Sequence, residues 1–333
     1  GELDAIVALA LAAKKHGWSQ PTLTSENVLQ IRGGRHPLQE LVVDSYIPND
    51  CYLSGGQGEA DEDPKGHAKQ SPPRPPSNLL ALTGPNHSGK SVYIKQVALI
   101  VYLAHIGSFV PADEAVIGVT DQILTRISTR ECVTENESAF AIDLRQISFC
   151  LKAASRRSLV LIDEFGKGTR ADDGAGLMSA LLDHFLTLGP QSPRMIAATN
   201  FHEIFEGRHL ENHPQLMFAH MDVHMDLANA SSDHPMTFLY KLVPGRSSSS
   251  FGGLCASLNG VDRAVVDRAE AISLLLARNE DLGAACAKLG NKDQRQLENA
   301  EAVARQYLSL STEDLLRSED VRGLLGGILS GGR

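Results

Sequence analysis

A chain of 333 residues with 42% hydrophobic content can bury a full α/β core and still carry a smaller second body. Its 31 basic against 40 acidic residues give a net charge of -9, the wrong sign for a domain that grips nucleic acid through phosphate contacts over much of its surface. The longest uninterrupted apolar run, Val97 to Ala104, falls far short of the ~18 residues of a membrane span, so no membrane partner is expected.

Cys51, Cys132, Cys150, Cys255 and Cys286 are odd in number and scattered, with no C-x-x-C pair. They exclude a cysteine metal site and point to an intracellular, reducing compartment. The chain begins at Gly1 rather than Met, shows no charged-then-apolar leader, and reads as a piece of something longer.

In chain order, Leu3, Ile6, Val7, Leu9 and Ala10 recur at helical spacing and predict one amphipathic helix from Leu3 to Lys15. Asn27 to Asp50 reads as short strands broken by Gly33-Gly34, Pro37 and Pro48. Between Ser54 and Ser77 the composition turns to Gly, Pro, Lys, Glu and Asp without apolar periodicity, which predicts a disordered surface insertion, assigned to residues 51–77. At its edge Leu53-Ser54-Gly55-Gly56-Gln57 spells the signature of ABC transporter ATPases. In those proteins the signature lies between the phosphate loop and the acidic pair; here it precedes both, and it reads as coincidence.

An apolar run, Leu79 to Leu82, then feeds Gly84-Pro85-Asn86-His87-Ser88-Gly89-Lys90-Ser91, a G-x-x-x-x-G-K-S phosphate-binding loop. Gly84 and Gly89 let successive backbone N–H groups curl round an anion, and the helix that follows presents its positive end to the same point. Lys90 is placed to reach the β- and γ-phosphates of ATP, and the Ser91 hydroxyl to ligate Mg²⁺.

Ser158 to Glu164 is an apolar strand ending in two carboxylates, the pattern of a parallel strand buried on both faces with its ligand at the carboxyl end. Asp163 is expected to hold the Mg²⁺ and Glu164 to orient and deprotonate the attacking water. A third buried strand, Met195 to Thr199, ends in Asn200-Phe201-His202, which puts Asn200 where a γ-phosphate sensor stands. The other readings are that Asn200 caps the next helix, or that His202 does the sensing, about 6.6 Å further along if the strand continues.

Ala175 to Leu188 is a crossover helix, and three strand-helix units make a doubly wound, mostly parallel sheet with flanking helices, the α/β fold of a P-loop NTPase. His220 and His224 alternate with Met221, Val223 and Met225 at strand period, which sets the two histidines about 13 Å apart and argues against a metal pair. Met236 to Val243 predicts another strand and Pro244 to Ser250 a turn. Beyond Asp262 the pattern is helical, with stripes at Val265, Ala269, Ile272, Leu275 and Leu276 and at Val303, Tyr307 and Leu310. Ser311 and Asp314 cap a further helix.

Gly84-Pro85-Asn86, Gly107 to Ala112, Thr125-Arg126-Ile127, Ser138-Ala139-Phe140, Asp163 to Thr169 and Ser250-Phe251-Gly252 together resemble the ATPase domain of the MutS family, in order and spacing, from about Leu3 to Val261. The short interval between Lys90 and Asp163 also suits that family, because an ABC transporter inserts a longer helical subdomain there. The resemblance implies an ABC-type ATPase that works in a dimer, each nucleotide held between one subunit's phosphate loop and the other's signature segment.

On this resemblance, residues 1–50 are the end of a lever helix with the first strands, 78–261 the ATPase core, and 262–333 a helix-turn-helix dimerisation element. Ser138 matches the serine that reaches the partner's γ-phosphate, Tyr46 and Tyr240 match the rings that hold the adenine, and Asp173 matches the acid of the loop at the dimer seam.

Lys167, where repair members usually carry Arg, and Asn200, where they carry His, are most similar to a meiotic branch of the family. That branch acts in the nucleus, pairs with a second MutS homologue (MutS protein homologue 4) and clamps branched recombination DNA. Asn200, and Ala139 in place of a usual threonine, imply slow hydrolysis with ATP binding intact. DNA would be held mainly by domains outside this stretch. Mismatch repair, a nucleotide-gated scaffold with little hydrolysis, and a transporter or chromosome-maintenance ABC ATPase are the other readings, the last disfavoured by motif order.

Overall fold

The computed structural model describes residues 1–58, 77–127, 138–205, 210, 213–225, 236–247, 251–278 and 291–308. The chain divides into two compact units, Gly1–Gly260 and Val261–Arg333.

The first unit is built on a six-stranded sheet of β4 (Leu79–Thr83), β6 (Ile123–Arg126), β7 (Leu159–Asp163), β8 (Arg194–Ala198), β9 (Leu216–Met225) and β10 (Met236–Pro244). The order across it is β10-β9-β4-β8-β7-β6, parallel throughout except for the β9–β10 hairpin. Every residue of β4, β7 and β8 is buried, which is why these three read as continuous apolar runs. A smaller sheet holds β1 (Thr22–Thr24), β2 (Val28–Gly34), β3 (Asn49–Ser54) and β5 (Glu114–Gly118), in the order β1-β5-β2-β3.

Alternate residues of the large sheet serve opposite faces. Leu80, Leu82, Leu159, Leu161, Ile196 and Ala198 pack on α2 (Lys90–His105), whose far side meets Leu29, Ile31 and Leu53 of the small sheet. A helix held between two sheets must be apolar nearly all round, as Ile94, Val97, Ile100 and Val101 make it. Leu79, Ala81, Val160, Ile162, Met195 and Ala197 face α3 (Ala139–Ala153) and α4 (Ala171–Thr187) on the other side. Helices on both faces place the carboxyl ends of β4, β7 and β8 along one edge, where the phosphate loop and the acidic pair follow.

Several expectations shift. The helix at the amino end, α1 (Glu2–His16), forms, but Leu3, Ile6 and Leu11 are exposed and Ala13 is its one buried residue. The crossover helix α4 starts at Ala171 rather than Ala175, because Asp172 and Asp173, read as loop, favour a helix N-terminus. The insertion assigned to 51–77 begins too early: Cys51 and Leu53 are buried in β3, and Gly55 and Gly56 are bonded to Asn27 and Ser192. A side chain at Gly56 would strike the Pro190 carbonyl at 2.0 Å, so close backbone approach accounts for that glycine. Residues 59–76 lie outside the described residues. His220 and His224 do lie on one extended strand, β9.

A short helix, α5 (Gly252–Leu258), completes the first unit. The second unit contains α6 (Arg263–Ala277) and α7 (Asn291–Leu308); the helix predicted at Ser311 lies outside the described residues. Among the described residues, no helix is long and apolar enough to cross a membrane.

One buried side chain ties the two sheets together. Arg194, at the start of β8, donates to the carbonyls of Val28 (3.0 Å), Gly118 (3.4 Å) and Arg157 (2.8 Å) and to the Thr120 hydroxyl (2.8 Å). Burial pulls its guanidinium down to about 10. Arg194→Leu would leave these acceptors unpaired in a dry site and should cost about 3 kcal/mol or more of unfolding free energy. A fall in the urea midpoint at unchanged slope checks this.

Candidate functional site

β4 delivers the chain to the phosphate loop through Thr83, whose buried hydroxyl accepts from the Ser247 N–H at 3.0 Å. Gly84, His87 and Gly89 have φ of 133°, 65° and 102°, and these positive angles curl the loop back on itself. Ser88 is buried and its Oγ donates to the Pro85 carbonyl at 2.7 Å. α2 begins at once with Lys90 and Ser91, so its unpaired N–H groups face the loop. Lys90 is buried and donates to the carbonyls of Gly84 (2.7 Å) and Pro85 (3.0 Å). Burial lowers its pKa despite the carboxylates of Glu164 and Asp163 nearby.

At the end of β7, the buried Asp163 carboxyl is hydrogen-bonded by Ser91 and pushed above the usual carboxylate range, chiefly by burial. Its Oδ1 has no hydrogen-bond partner among the described residues. A hydroxyl beside a buried carboxylate with one oxygen unclaimed fits Mg²⁺, which takes few protein ligands and keeps the rest of its shell for water and phosphate. No group of three or more His, Cys, Asp or Glu is arranged for a metal among the described residues.

Glu164 is half-buried and lies in the left-handed region, φ 55°, with its N–H donating to the Ala198 carbonyl at 2.9 Å. Its carboxylate meets the Lys167 ammonium in a short contact, the Lys90 ammonium at 3.8 Å and the Asn200 amide at 3.1 Å. Burial works to raise its pKa, but the Lys167 hydrogen bond and charge, with Lys90, outweigh it and hold Glu164 below the ordinary value. Asn200 also donates to Asn86 Oδ1 at 3.2 Å and so bridges the phosphate loop and the acidic pair. The strand ends at Ala198 and His202 opens a 3-10 turn, so the extended geometry that would carry His202 along the same side does not continue.

The structure therefore brings together Lys90, Ser91, Asp163, Glu164, Asn86 and Asn200. Tyr240, on β10, sets its ring against Gly89: a Cβ there would stand 3.3 Å from its Cδ1. Tyr46 donates to Gln96 of α2 at 2.8 Å, and burial pushes its phenol up to about 12. Ser138 is exposed and caps α3, its Oγ accepting from Ala141 N–H at 3.2 Å, while Asp173 is exposed in the first turn of α4. Neither hydrogen-bonds into the Lys90–Glu164–Asn200 cluster among the described residues.

Backbone strain converges on the same place. Among the described residues, the non-glycine positions with positive φ are His87, Glu164, Tyr240 and Phe251. His87 is in the phosphate loop, Glu164 and Tyr240 lie against Lys90 and Gly89, and Phe251 precedes α5, whose Cys255 thiol donates to the Asn86 carbonyl at 3.7 Å. Such conformations persist only where surrounding contacts impose them, and they gather at functional sites.

Arg126 is a residue whose part the motifs did not disclose. Buried at the end of β6, it bonds both the Asp163 carbonyl and the Asp143 carboxylate of α3. It thereby couples the helix capped by Ser138 to the acidic pair. An arginine in a short apolar strand and an aspartate on the apolar side of a helix are the sequence signals of such a pair.

The family profile described as MutS domain V matches residues 80–277. The chain is 36% identical over 335 residues to MutS protein homolog 5 of Saccharomyces cerevisiae, covering 96% of this chain and 36% of that protein. It is also 36% identical to the DNA mismatch repair protein MutS of Carboxydothermus hydrogenoformans over 84% of this chain and 30% of that protein. The DNA mismatch repair protein MutS of Treponema pallidum is again 36% identical, over 80% of this chain and 27% of that protein. The chain thus spans about a third of the length of the curated relatives it matches.

The Lys167–Glu164 contact has a pH signature. A carboxyl held below its ordinary 4.5 stabilises the fold above that pH and loses the contribution as pH falls through its folded value. Lys167→Met should therefore lower the Tm near neutral pH, with the gap from the parent chain closing as the pH falls below about 4. Thermal unfolding across that range checks it; a gap of constant size would assign the loss to packing.

Proposed function

The chain belongs to the MutS family, through that family's domain V, and from this premise we propose that it is the ATPase part of a DNA-clamp subunit that pairs with a second MutS homologue. The observation that carries the reading is the single cluster in which the phosphate loop, Ser91–Asp163 and Glu164–Asn200 meet. In this reading the loop N–H groups and Lys90 hold the triphosphate, Lys90 exchanging the loop carbonyls for phosphate oxygens. Ser91 and Asp163 hold Mg²⁺, which when bound neutralises charge on the phosphates. Glu164 orients a water and accepts its proton; Asn200, already bonded to Glu164, positions that water.

Ser138 at the tip of α3 reaches into the partner's nucleotide site, and Asp173 lies at the seam between subunits. Residues 262–333 supply a helical dimerisation element. ATP binding closes the clamp and hydrolysis resets it. Lys167 and Asn200 support the meiotic branch of the family: a nuclear subunit of the MutS protein homologue 5 kind, paired with MutS protein homologue 4 on Holliday junctions and favouring crossover. The equal identity to bacterial proteins named for DNA mismatch repair supports the second reading, a repair subunit. A nucleotide-gated scaffold with little hydrolysis is the third, supported by Asn200 and Ala139.

Separate roles for these residues give separable losses. Lys90→Ala and Ser91→Ala should weaken Mg-ATP binding at equilibrium, while Glu164→Ala should bind as before and stop single-turnover hydrolysis. Equal loss of binding in all three would defeat the assignment.

Asn200 can position a water but cannot take up a proton near neutral pH, as a histidine can. Asn200→His is expected to speed hydrolysis about tenfold, about 1.4 kcal/mol of barrier, at unchanged ATP affinity. No change in Asn200→His and Asn200→Ala, with collapse in His202→Ala, would move the sensor to His202.

A further inference from the structure

β10 does not pair evenly with β9. The register runs from Met236 opposite Met225 to Phe238 opposite Val223, slips, and resumes with Leu242 opposite Met221. Tyr240 lies inside the slip with φ 52°, an orientation that a bulky side chain resists. The ladder bonds it gives up are replaced from the other sheet. Asn49, buried on β3, donates through Nδ2 to the Tyr240 carbonyl at 2.9 Å, and its Oδ1 accepts from the Leu242 N–H at 2.7 Å. Lys241 adds a bond to the Pro48 carbonyl at 3.0 Å.

The backbone of Asn49 is tied in turn to α2. Its carbonyl accepts from Gln96 Nε2 at 3.4 Å, and Gln96 Oε1 accepts from the Tyr46 hydroxyl at 2.8 Å. Gln96 is wholly buried on the helix that begins with Lys90. Both tyrosines thus hang on one buried amide pair. Tyr240 stays 49% exposed, its ring against Gly89, although its strained backbone is anchored by a buried side chain. Packing does not require that arrangement, since a core tyrosine would bury its ring.

We propose that Asn49, braced by Gln96, is a positioning residue that sets the Tyr240 ring to stack on the base of a nucleotide whose phosphates lie at Lys90. The proposal rests on the nucleotide reading given above. The stacking partner is an aromatic base, and what Asn49 governs is discrimination between a nucleoside triphosphate and a bare triphosphate.

The test is equilibrium binding of Mg-ATP and of Mg-tripolyphosphate to the full chain. Asn49→Asp keeps size and the Oδ1 acceptor but turns the donor facing the Tyr240 carbonyl into an oxygen. ATP should then bind about tenfold more weakly while tripolyphosphate binds as before. Tyr240→Gly, which keeps the left-handed backbone without the ring, should show the same loss, and adding Asn49→Asp to it should weaken ATP no further. Should Asn49→Asp fail to fold, Asn49→Ser carries the same comparison.

Parallel loss of both ligands, or loss of neither, would overturn the positioning role. A parent chain that binds tripolyphosphate as tightly as ATP would overturn it too while leaving the phosphate site standing. A parent chain that binds neither ligand would remove the nucleotide reading and this proposal together.

Discussion

A loop forced into the left-handed region at Gly84, His87 and Gly89 is held open at the carboxyl edge of a sheet whose central strands are buried on both faces. Everything chemical in the chain depends on that constraint. The loop cannot relax into a regular turn, because β4 enters it from between β8 and β9 and α2 leaves it into the gap between two sheets. Sequence accounts for both ends: an unbroken apolar strand on one side and a helix apolar nearly all round on the other. The cost of the strained backbone is borne by this packing, so the N–H groups are arranged before any ligand arrives.

The same crowding sets the electrostatics. Two lysines and two carboxylates share the space at the ends of β4 and β7, and burial shifts Lys90 down and Asp163 up. Of the two carboxylates Glu164 moves down, because Lys167 and Lys90 both approach it. A carboxylate held below its ordinary range is a weaker base. Lys167 and Asn200 hydrogen-bond the Glu164 carboxylate in the structure, with Lys90 at 3.8 Å.

How much of this could be read from the residues alone depended on whether the signal was local. Leu79–Ser91, Leu159–Glu164 and Met195–Asn200 declare themselves because a strand buried on both faces is apolar throughout and the polar residues begin where it ends. The start of α4 was obscured by Asp172, Asp173 and two glycines, which resemble a loop until Gly166 and Gly174 are found so close that a Cβ on Gly174 would sit 2.2 Å from the Gly166 carbonyl. β3 was clipped because a strand of alternating burial ran straight into a low-complexity tract. Arg126 and Asp143 each stand out in an apolar setting, but that they pair, like the Asn49 bonds to β10, was not legible, since each joins elements brought together only by the fold. Asn49 and Tyr240 lie 191 positions apart.

The central claim, proposed above, is that this chain holds half of a composite ATPase site, completed by the matching serine of another MutS-type subunit, as Ser138 completes the partner's. The rate of Mg-ATP hydrolysis per chain, measured against protein concentration and against added partner subunit, tests it most directly. The account predicts a rate near background for the dilute chain that rises with concentration or partner and then saturates. A rate per chain that is already full in the dilute monomer and indifferent to both would contradict it.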